Sequence, residues 1–431
     1  MNSKKIMEIL NDWNFWKKEI DVGIERTTYL EKFKNFAKTG QIISVVGARQ
    51  VGKSTLMFQY AKNLIDEGLS RDNILYVNFE DPRFFGELSL ELLQGIYETY
   101  LEYMSPKGKP YVFLDEIQVI EGWEKFARAL HAKKEAFVIV SGSSSKLLSS
   151  EFGTVLTGRH LIIEVFPLSF KEFLSFNDIL IKDKLDTISK KLQIKKSLKE
   201  YIRWGGFPRV VLSEQKEEIL RKYFDDILSR DVIERYKIRN IDKLKELAKF
   251  YMTNVSTINS FNKIKNFLHL SLDSTERFSY YLPYSYLINL VKLFSYSLKQ
   301  QELNARKVYC IDTGLRNVVS FRFSEDIGRL AESIVFQELM RKGKEVYYWR
   351  NQKQQEVDFI VKRGMDVTEL IQVCWDIEDQ KTKQREINAL SKAMEEIKLK
   401  QGFVITEEYE NEEEINGKKI YFVPLWSWLL E

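Results

Sequence analysis

Two rhythms of apolar residues divide the first 165 positions of the chain. Residues 41–46, 74–79, 111–114, 137–140 and 161–165 are short β-branched or aromatic runs without polar alternation. Between them, residues 53–66, 88–104 and 123–132 carry apolar side chains at helical spacing. Strands that are apolar on both faces are expected where helices cover both sides of a sheet, so this alternation predicts a mostly parallel α/β sheet. Ahead of it, residues 1–39 read as an amphipathic helix, a loop and a second helix.

From about Pro167 the pattern changes. Residues 169–176, 190–204, 216–236 and a further set over 241–270 read as helices. Strand-like runs at 345–349, 356–361, 370–373, 403–405 and 420–423 are then interleaved with helices at 327–341 and 381–398. This predicts a second, C-terminal α/β unit beginning between residues 300 and 310. No internal repeat or low-complexity tract interrupts the chain, and the acidic stretch 407–414 is expected at a solvated hairpin tip.

Composition narrows the class. A chain of 431 residues, 44% hydrophobic and 30% charged, has room for two to three cored domains and is neither disordered nor a disulfide scaffold. Lys plus Arg number 66 against 62 Asp plus Glu, so a nucleic-acid partner needs a local patch, not a global field. Cys310 and Cys374 have no zinc or disulfide spacing, and His131, His160 and His269 are scattered. No export signal is visible, and the most apolar long stretch, 278–298, contains Pro283, Asn289 and Lys292. The expectation is a cytoplasmic protein without a membrane span.

The chemistry concentrates after the first strand. Gly47-Ala48-Arg49-Gln50-Val51-Gly52-Lys53-Ser54 satisfies G-x-x-x-x-G-K-[ST] at every fixed position, with a strand before and a helix after. Gly47 and Gly52 let successive backbone N–H groups curl inward toward phosphate oxygens, and the helix start adds its positive dipole end. Residues Gly47 to Thr55 therefore form the cradle, Lys53 supplies a mobile cation for the β- and γ-phosphates, and the Ser54 hydroxyl is a candidate Mg²⁺ ligand.

Two further strand ends add acids and hydroxyls. Tyr111-Val112-Phe113-Leu114-Asp115-Glu116 delivers two carboxylates to the C-terminal edge of a buried strand, where open parallel sheets bind ligands. Asp115 is expected to hold Mg²⁺ through its water shell, and Glu116 to orient and deprotonate an attacking water. Val138-Ile139-Val140-Ser141-Gly142-Ser143-Ser144 ends in small polar groups. Ser143 is the candidate for bonding the water or the γ-phosphate, with a plain serine-rich turn as the other reading. Gly158-Arg159 offers a guanidinium to the transferring phosphate, from the same chain or a neighbour.

These motifs occur in a fixed order, followed by Phe166-Pro167-Leu168-Ser169-Phe170 and Gly205-Gly206-Phe207-Pro208. The series resembles the AAA+-related P-loop ATPases of archaea and bacteria that carry a C-terminal domain of unknown function. The resemblance runs over nearly the whole chain. It implies an AAA+-like parallel-sheet domain at 1–165, a helical lid region at 166–240, a winged-helix-like domain at 241–310 and a C-terminal nuclease-like α/β domain at 311–431. It also places Ile24-Glu25-Arg26 and Tyr29 against the adenine. In the winged-helix reading, 257–268 is the recognition-type helix, with Asn262, Lys263, Lys265 and Asn266 on its polar face. Residues 280–284 and 308–311 are the candidate strands. An ATPase lid or a protein interface is the competing reading of this region.

The C-terminal part matches the family's unknown domain at Lys307-Val308-Tyr309, Asp312, Gly314-Leu315, Gly328, Glu332, Trp349-Arg350 and Glu356-Val357-Asp358-Phe359. Its arrangement looks like a PD-(D/E)xK nuclease core. Glu332, Asp358 and Gln372 fall at the metal-gathering places, but Cys374 stands where that pattern has lysine, and Gln372 brings no charge. The sequence thus points to an ATP- and Mg²⁺-dependent AAA+-type ATPase, with double-stranded DNA or a protein client as partner and an oligomer if Arg159 acts across subunits. The alternatives are a nucleotide-gated switch with slow hydrolysis and, less favoured, a metal-dependent nuclease.

Overall fold

The five apolar runs of the first 165 residues build one sheet. Strands β1 (Ile42–Val46), β2 (Ile74–Asn78), β3 (Tyr111–Asp115), β4 (Phe137–Gly142) and β5 (His160–Glu164) lie in the order β2-β3-β4-β1-β5, every neighbour parallel. The structure, a computed structural model, describes residues 1–143, 160–320 and 327–431. The chain folds into two units, Met1–Val165 and Phe166–Glu431.

In the first unit, helices α1 (Ser3–Trp13), α2 (Thr27–Ala37), α3 (Lys53–Asp66), α4 (Leu90–Met104) and α5 (Trp123–Ala132) cover the sheet. β1 is buried at all five positions, which explains its unbroken apolar run. The edge strand β2 is sealed by side chains from the segment after α1. Asn14 donates through Nδ2 to the Tyr76 carbonyl at 2.9 Å and accepts from the Tyr76 N–H at 2.7 Å. Trp16 Nε1 donates to the Ile74 carbonyl at 2.8 Å. These bonds satisfy backbone groups that an open edge would otherwise leave for another strand.

The second unit contains two sheets. β6 (Ile258–Asn259), β8 (Arg306–Cys310) and β7 (Ile288–Val291) form an antiparallel trio in that order. A mixed six-stranded sheet runs β13-β14-β12-β11-β10-β9, built from β9 (Glu345–Arg350), β10 (Glu356–Arg363), β11 (Asp366–Val373), β12 (Gln401–Thr406), β13 (Asn411–Ile415) and β14 (Lys418–Pro424). Helices Ile327–Arg341 and Gln380–Ile397 pack on it. A bridge between Leu293 and Tyr348, with Phe294 N–H donating to the Tyr348 carbonyl at 2.7 Å, ties the small sheet to β9.

The two segments most specific to the resemblance, around Phe166 and Gly205, hold each other within this unit. Leu168 N–H donates to the Gly206 carbonyl at 2.7 Å, and the Tyr201 hydroxyl donates to the Leu168 carbonyl at 2.8 Å. Asp312 accepts from Gly206 N–H at 2.7 Å and from Leu315 N–H at 3.0 Å. The approach leaves no room for a side chain: a Cβ on Gly205 (φ +73°) would sit 2.0 Å from Asp312 Oδ1, and one on Gly314 2.0 Å from the Trp204 carbonyl. These motifs are explained by packing.

Three local readings differ from the pattern-based expectation. Residues 280–284, expected as a strand, close the helix Leu272–Tyr284, which is capped by Ser271 and buries Phe278 and Leu282 one helical turn apart. Its aromatic content mimics a β run, but the helical spacing of the buried pair decides the outcome. The long helix expected over 216–236 changes at Ile227 into a π-helical stretch, Ile227–Glu234, and nothing in the structure explains the change. Three of the six acids of 407–414, Glu412, Glu413 and Glu414, lie in the edge strand β13 and the other three just before it; the hairpin turn is Asn416-Gly417, both at positive φ. Among the described residues no helix is long and apolar enough to cross a membrane.

Candidate functional site

The turn after β1 has the backbone a phosphate cradle needs. Gly47 lies at φ +151°, and a Cβ there would meet the Val165 carbonyl oxygen at 2.2 Å. Gln50 (φ 68°) and Gly52 (φ 96°) are left-handed, and Gly52 caps α3 with no side chain over its first N–H groups. Ala48 and Val51 are fully buried and anchor the turn, and Arg49 pairs with Glu80 at 2.8 Å. Beneath it, the Arg26 guanidinium donates to the Val51 carbonyl at 3.1 Å and stacks 4.5 Å from the Tyr29 ring. Gln59 of α3 donates to the Val22 and Ile24 carbonyls, fixing the segment 22–29 against the loop.

Lys53, 4% exposed, donates to the Gly47 and Ala48 carbonyls at 3.2 Å each and lies 3.5 Å from Glu116 Oε1. Ser54 is half-buried at the start of α3, where its hydroxyl acts to lower the pKa of both Asp115 and Tyr76, and Thr55 is exposed on the next position. Asp115 is buried at the end of β3. Its Oδ1 accepts from the Ser141 hydroxyl, and its Oδ2 accepts from the Tyr76 hydroxyl at 2.7 Å. Glu116 turns the chain in left-handed geometry (φ 53°), a conformation that costs a non-glycine residue about 1–2 kcal/mol. Its N–H is held by Ser141 Oγ at 2.9 Å, and Gln118 Nε2 donates to its Oε2 at 2.5 Å.

The two adjacent acids are driven apart electrostatically. Burial, followed by the neighbouring charge of Glu116, raises the Asp115 carboxyl above its ordinary range. Burial pushes Glu116 the same way, but Lys53, the Gln118 amide and Arg49 together hold it below the usual carboxylate range. Glu116 is therefore the more acidic of the two. Asp115 is the member that gains most from an arriving cation, since a divalent ion reverses the penalty on a buried carboxylate.

Lys53, Ser54, Asp115 and Glu116 thus meet at the C-terminal edge of β1 and β3. Ser143 is buried one residue beyond β4, while the hydroxyl bonded to both acids is that of Ser141. Arg159 lies outside the described residues. Sequence reasoning missed Tyr76, Ser141 and Gln118. Ser141 and Ser143 share strand parity in one motif, so residue type alone did not separate them. Tyr76 sits inside an apolar run and carries no sequence signal.

The second unit holds another carboxylate cluster. Lys307 of β8, fully buried, stands 2.8 Å from Glu332 Oε1, 2.6 Å from Glu356 Oε1 and 2.7 Å from Asp358 Oδ1. The Tyr309 hydroxyl donates to Glu332 Oε1 at 2.6 Å. Burial and the charge of Asp358 push the Glu332 carboxyl up to about 8. Burial opposes the charged form of Lys307, but Asp358 and Glu332 overcome it and raise the amine above its ordinary value. Gln372 is spent elsewhere: its Oε1 accepts from Asp358 N–H at 3.2 Å, and its Nε2 donates to Glu386 Oε2 at 2.7 Å. Burial pushes the Cys374 thiol up to about 12. Among the described residues no group of three or more His, Cys, Asp or Glu is disposed to hold a metal ion. The sequence motif contained Lys307 but gave no reason to place it among the acids.

Comparisons with known proteins bear on this site. The family model described as an AAA domain matches residues 39–174. Two models of domains of unknown function, DUF8612 and DUF4143, match residues 195–326 and 327–428. The uncharacterized protein MJ1544 of Methanocaldococcus jannaschii is 37% identical over 404 residues, covering 90% of this chain and 87% of the relative. An uncharacterized protein of Haemophilus influenzae is 30% identical over 419 residues, covering 95% of this chain and 99% of its own. Among solved structures, the Walker-type ATPase paby2304 of Pyrococcus abyssi is 13% identical with a TM-score of 0.42, covering 69% of this chain and 96% of that one.

Proposed function

We propose that this chain, which belongs to the AAA+-related P-loop ATPase family, binds ATP with Mg²⁺ and hydrolyses it to ADP and phosphate. The observation that carries this reading is one hydrogen-bonded network joining Tyr76, Asp115, Ser141 and Glu116 beside Lys53 at the end of the phosphate-loop turn.

The donor set fits the ion. Ser54 and Asp115 offer hard oxygen ligands, and each Asp115 oxygen keeps a lone pair after accepting from Ser141 or Tyr76. When bound, Mg²⁺ screens the phosphate charge and draws electron density from the transferring group. The N–H groups of residues 47–55 receive the phosphate oxygens. Lys53 exchanges the weak carbonyl contacts of Gly47 and Ala48 for the β- and γ-phosphates. Glu116, ionised and freed from Lys53, orients a water and takes its proton. Arg159 and Ser143 are assigned to charge neutralisation and to the γ-phosphate.

ATP turnover by Glu116→Gln tests the assignment: nucleotide affinity is retained and hydrolysis stops. Normal turnover in that variant removes Glu116 from the mechanism. A second reading, a nucleotide-gated switch with slow hydrolysis, is favoured by the engagement of both Glu116 oxygens, one by Gln118 and one by Lys53. A stoichiometric burst of phosphate followed by ATP-dependent change in size supports the switch, and sustained multiple turnover supports the ATPase.

We assign residues 166–240 to a lid region, 241–310 to a winged-helix-like domain and 311–431 to a nuclease-like domain. Helix Phe261–Leu268 keeps Asn262, Lys263 and Asn266 exposed, with Lys265 half-buried. Double-stranded DNA is the partner this face fits, through phosphate contacts that weaken with salt. Binding that ignores salt, or that persists after Lys263→Ala with Lys265→Ala, rejects DNA in favour of a protein client.

A further inference from the structure

The carboxylate cluster of the second unit is arranged around a cation, and the chain itself supplies it. Three oxygens, from Glu332 on the helix Ile327–Arg341 and from Glu356 and Asp358 on β10, converge on Lys307 Nζ at 2.6–2.8 Å. The ammonium donates to Glu356 and Asp358 and forms a close ion pair with Glu332. Calcium–oxygen distances run about 2.3–2.6 Å, so these ligands stand only a few tenths of an ångström beyond the spacing of a hard divalent ion.

The resemblance to a metal-dependent nuclease core implies a divalent ion here, and the residues do not fit one. Lys307 fills the centre, Gln372 directs its amide to Asp358 N–H and Glu386, and Asp358 Oδ2 is taken by Val373 N–H at 2.8 Å. Metal-assisted phosphodiester cleavage needs an ion with an exchangeable water. An ammonium enclosed by three carboxylates offers neither a Lewis acid nor a bound hydroxide. We propose that Lys307 is the resident cation of this site, replacing a divalent metal, and that its removal opens the cluster to one.

The test is Mn²⁺ binding, followed by electron paramagnetic resonance on the full chain without nucleotide. Three proteins are compared: wild type, Lys307→Ala, and Lys307→Ala combined with Asp358→Asn. The expected result is one additional Mn²⁺ in Lys307→Ala, with affinity of about 10⁻⁴–10⁻³ M as in weak carboxylate sites, absent from the other two. The same additional Mn²⁺ in wild type overturns the proposal, as does a folded Lys307→Ala that takes up no ion. If Lys307→Ala does not fold alone, it is refolded in Mn²⁺. Recovery of a cooperative thermal transition supports the proposal, and no recovery overturns it. DNA incubated with wild type and Mn²⁺ stays intact; cutting that Asp358→Ala abolishes overturns the proposal as well.

Discussion

Each unit of this chain buries a lysine against carboxylate charge, one group in the first and three in the second, and the two lysines are held very differently. Lys53 has one carboxylate at 3.5 Å and two backbone carbonyls at 3.2 Å. Lys307 has three carboxylates at 2.6–2.8 Å. The first set of contacts is long, weak and easily exchanged for phosphate oxygens. The second surrounds the ammonium with opposite charge on three sides. A buried lysine is thus a ligand-binding group only where its protons are under-used, and a structural cation where carboxylates surround it.

The largest effect should separate the carboxylates of the two sites. Glu116→Gln should lower ATP turnover by about 10²–10⁴-fold, the usual contribution of a general base, with nucleotide affinity unchanged. Glu332→Gln should leave turnover as it is. Steady-state phosphate release on both variants checks this, and equal losses would erase the contrast.

Lys307→Ala should cost the second unit about 3–5 kcal/mol, the penalty for leaving buried charges uncompensated. Denaturant unfolding, followed by the tryptophans of that unit, measures it. A loss below about 1 kcal/mol, the level of an exposed pair, would mean that water screens the cluster.

The same cluster should be visible in pH. The Glu332 carboxyl is pushed up to about 8 in the folded chain, above its unfolded value. Its contribution to stability is complete below about pH 4.5 and is lost as pH rises through 8, with a limiting slope of about 1.4 kcal/mol per pH unit. Glu332→Gln has no such dependence, so wild type should lose stability relative to the variant between about pH 5 and pH 8. A constant difference across that range contradicts the assignment.

The smallest effect falls on Tyr76. Removing one hydrogen bond to a buried carboxylate costs about 1–3 kcal/mol. Tyr76→Phe should therefore weaken Mn²⁺ binding beside a non-hydrolysable nucleotide by roughly 5–100-fold, while nucleotide binding in chelator stays the same. An unchanged Mn²⁺ titration would leave Tyr76 as packing between Phe58 and Phe113.

What the sequence made legible follows the same division. Fixed spacing with strand-helix context located Gly47 to Ser54, and an apolar strand ending in acids located Asp115 and Glu116, because these features are local. Tyr76 and Lys307 were not legible, since their partners lie 39 and 51 residues away and only folding brings them together. The parallel sheet was legible from uniform burial of its strands. The helix Leu272–Tyr284 was misread at its aromatic end because tertiary packing overrides β propensity there. The glycines at 205, 206 and 314 were visible as motif positions, but their reason, contact with Asp312, Leu168 and Trp204, is tertiary.

The most direct measurement is calorimetric titration of ATP with Mg²⁺ into wild type and Lys53→Ala. The under-used lysine of the first unit predicts one nucleotide site per chain in wild type and its loss in the variant. No heat from wild type at millimolar nucleotide, or equal binding by both proteins, would contradict it.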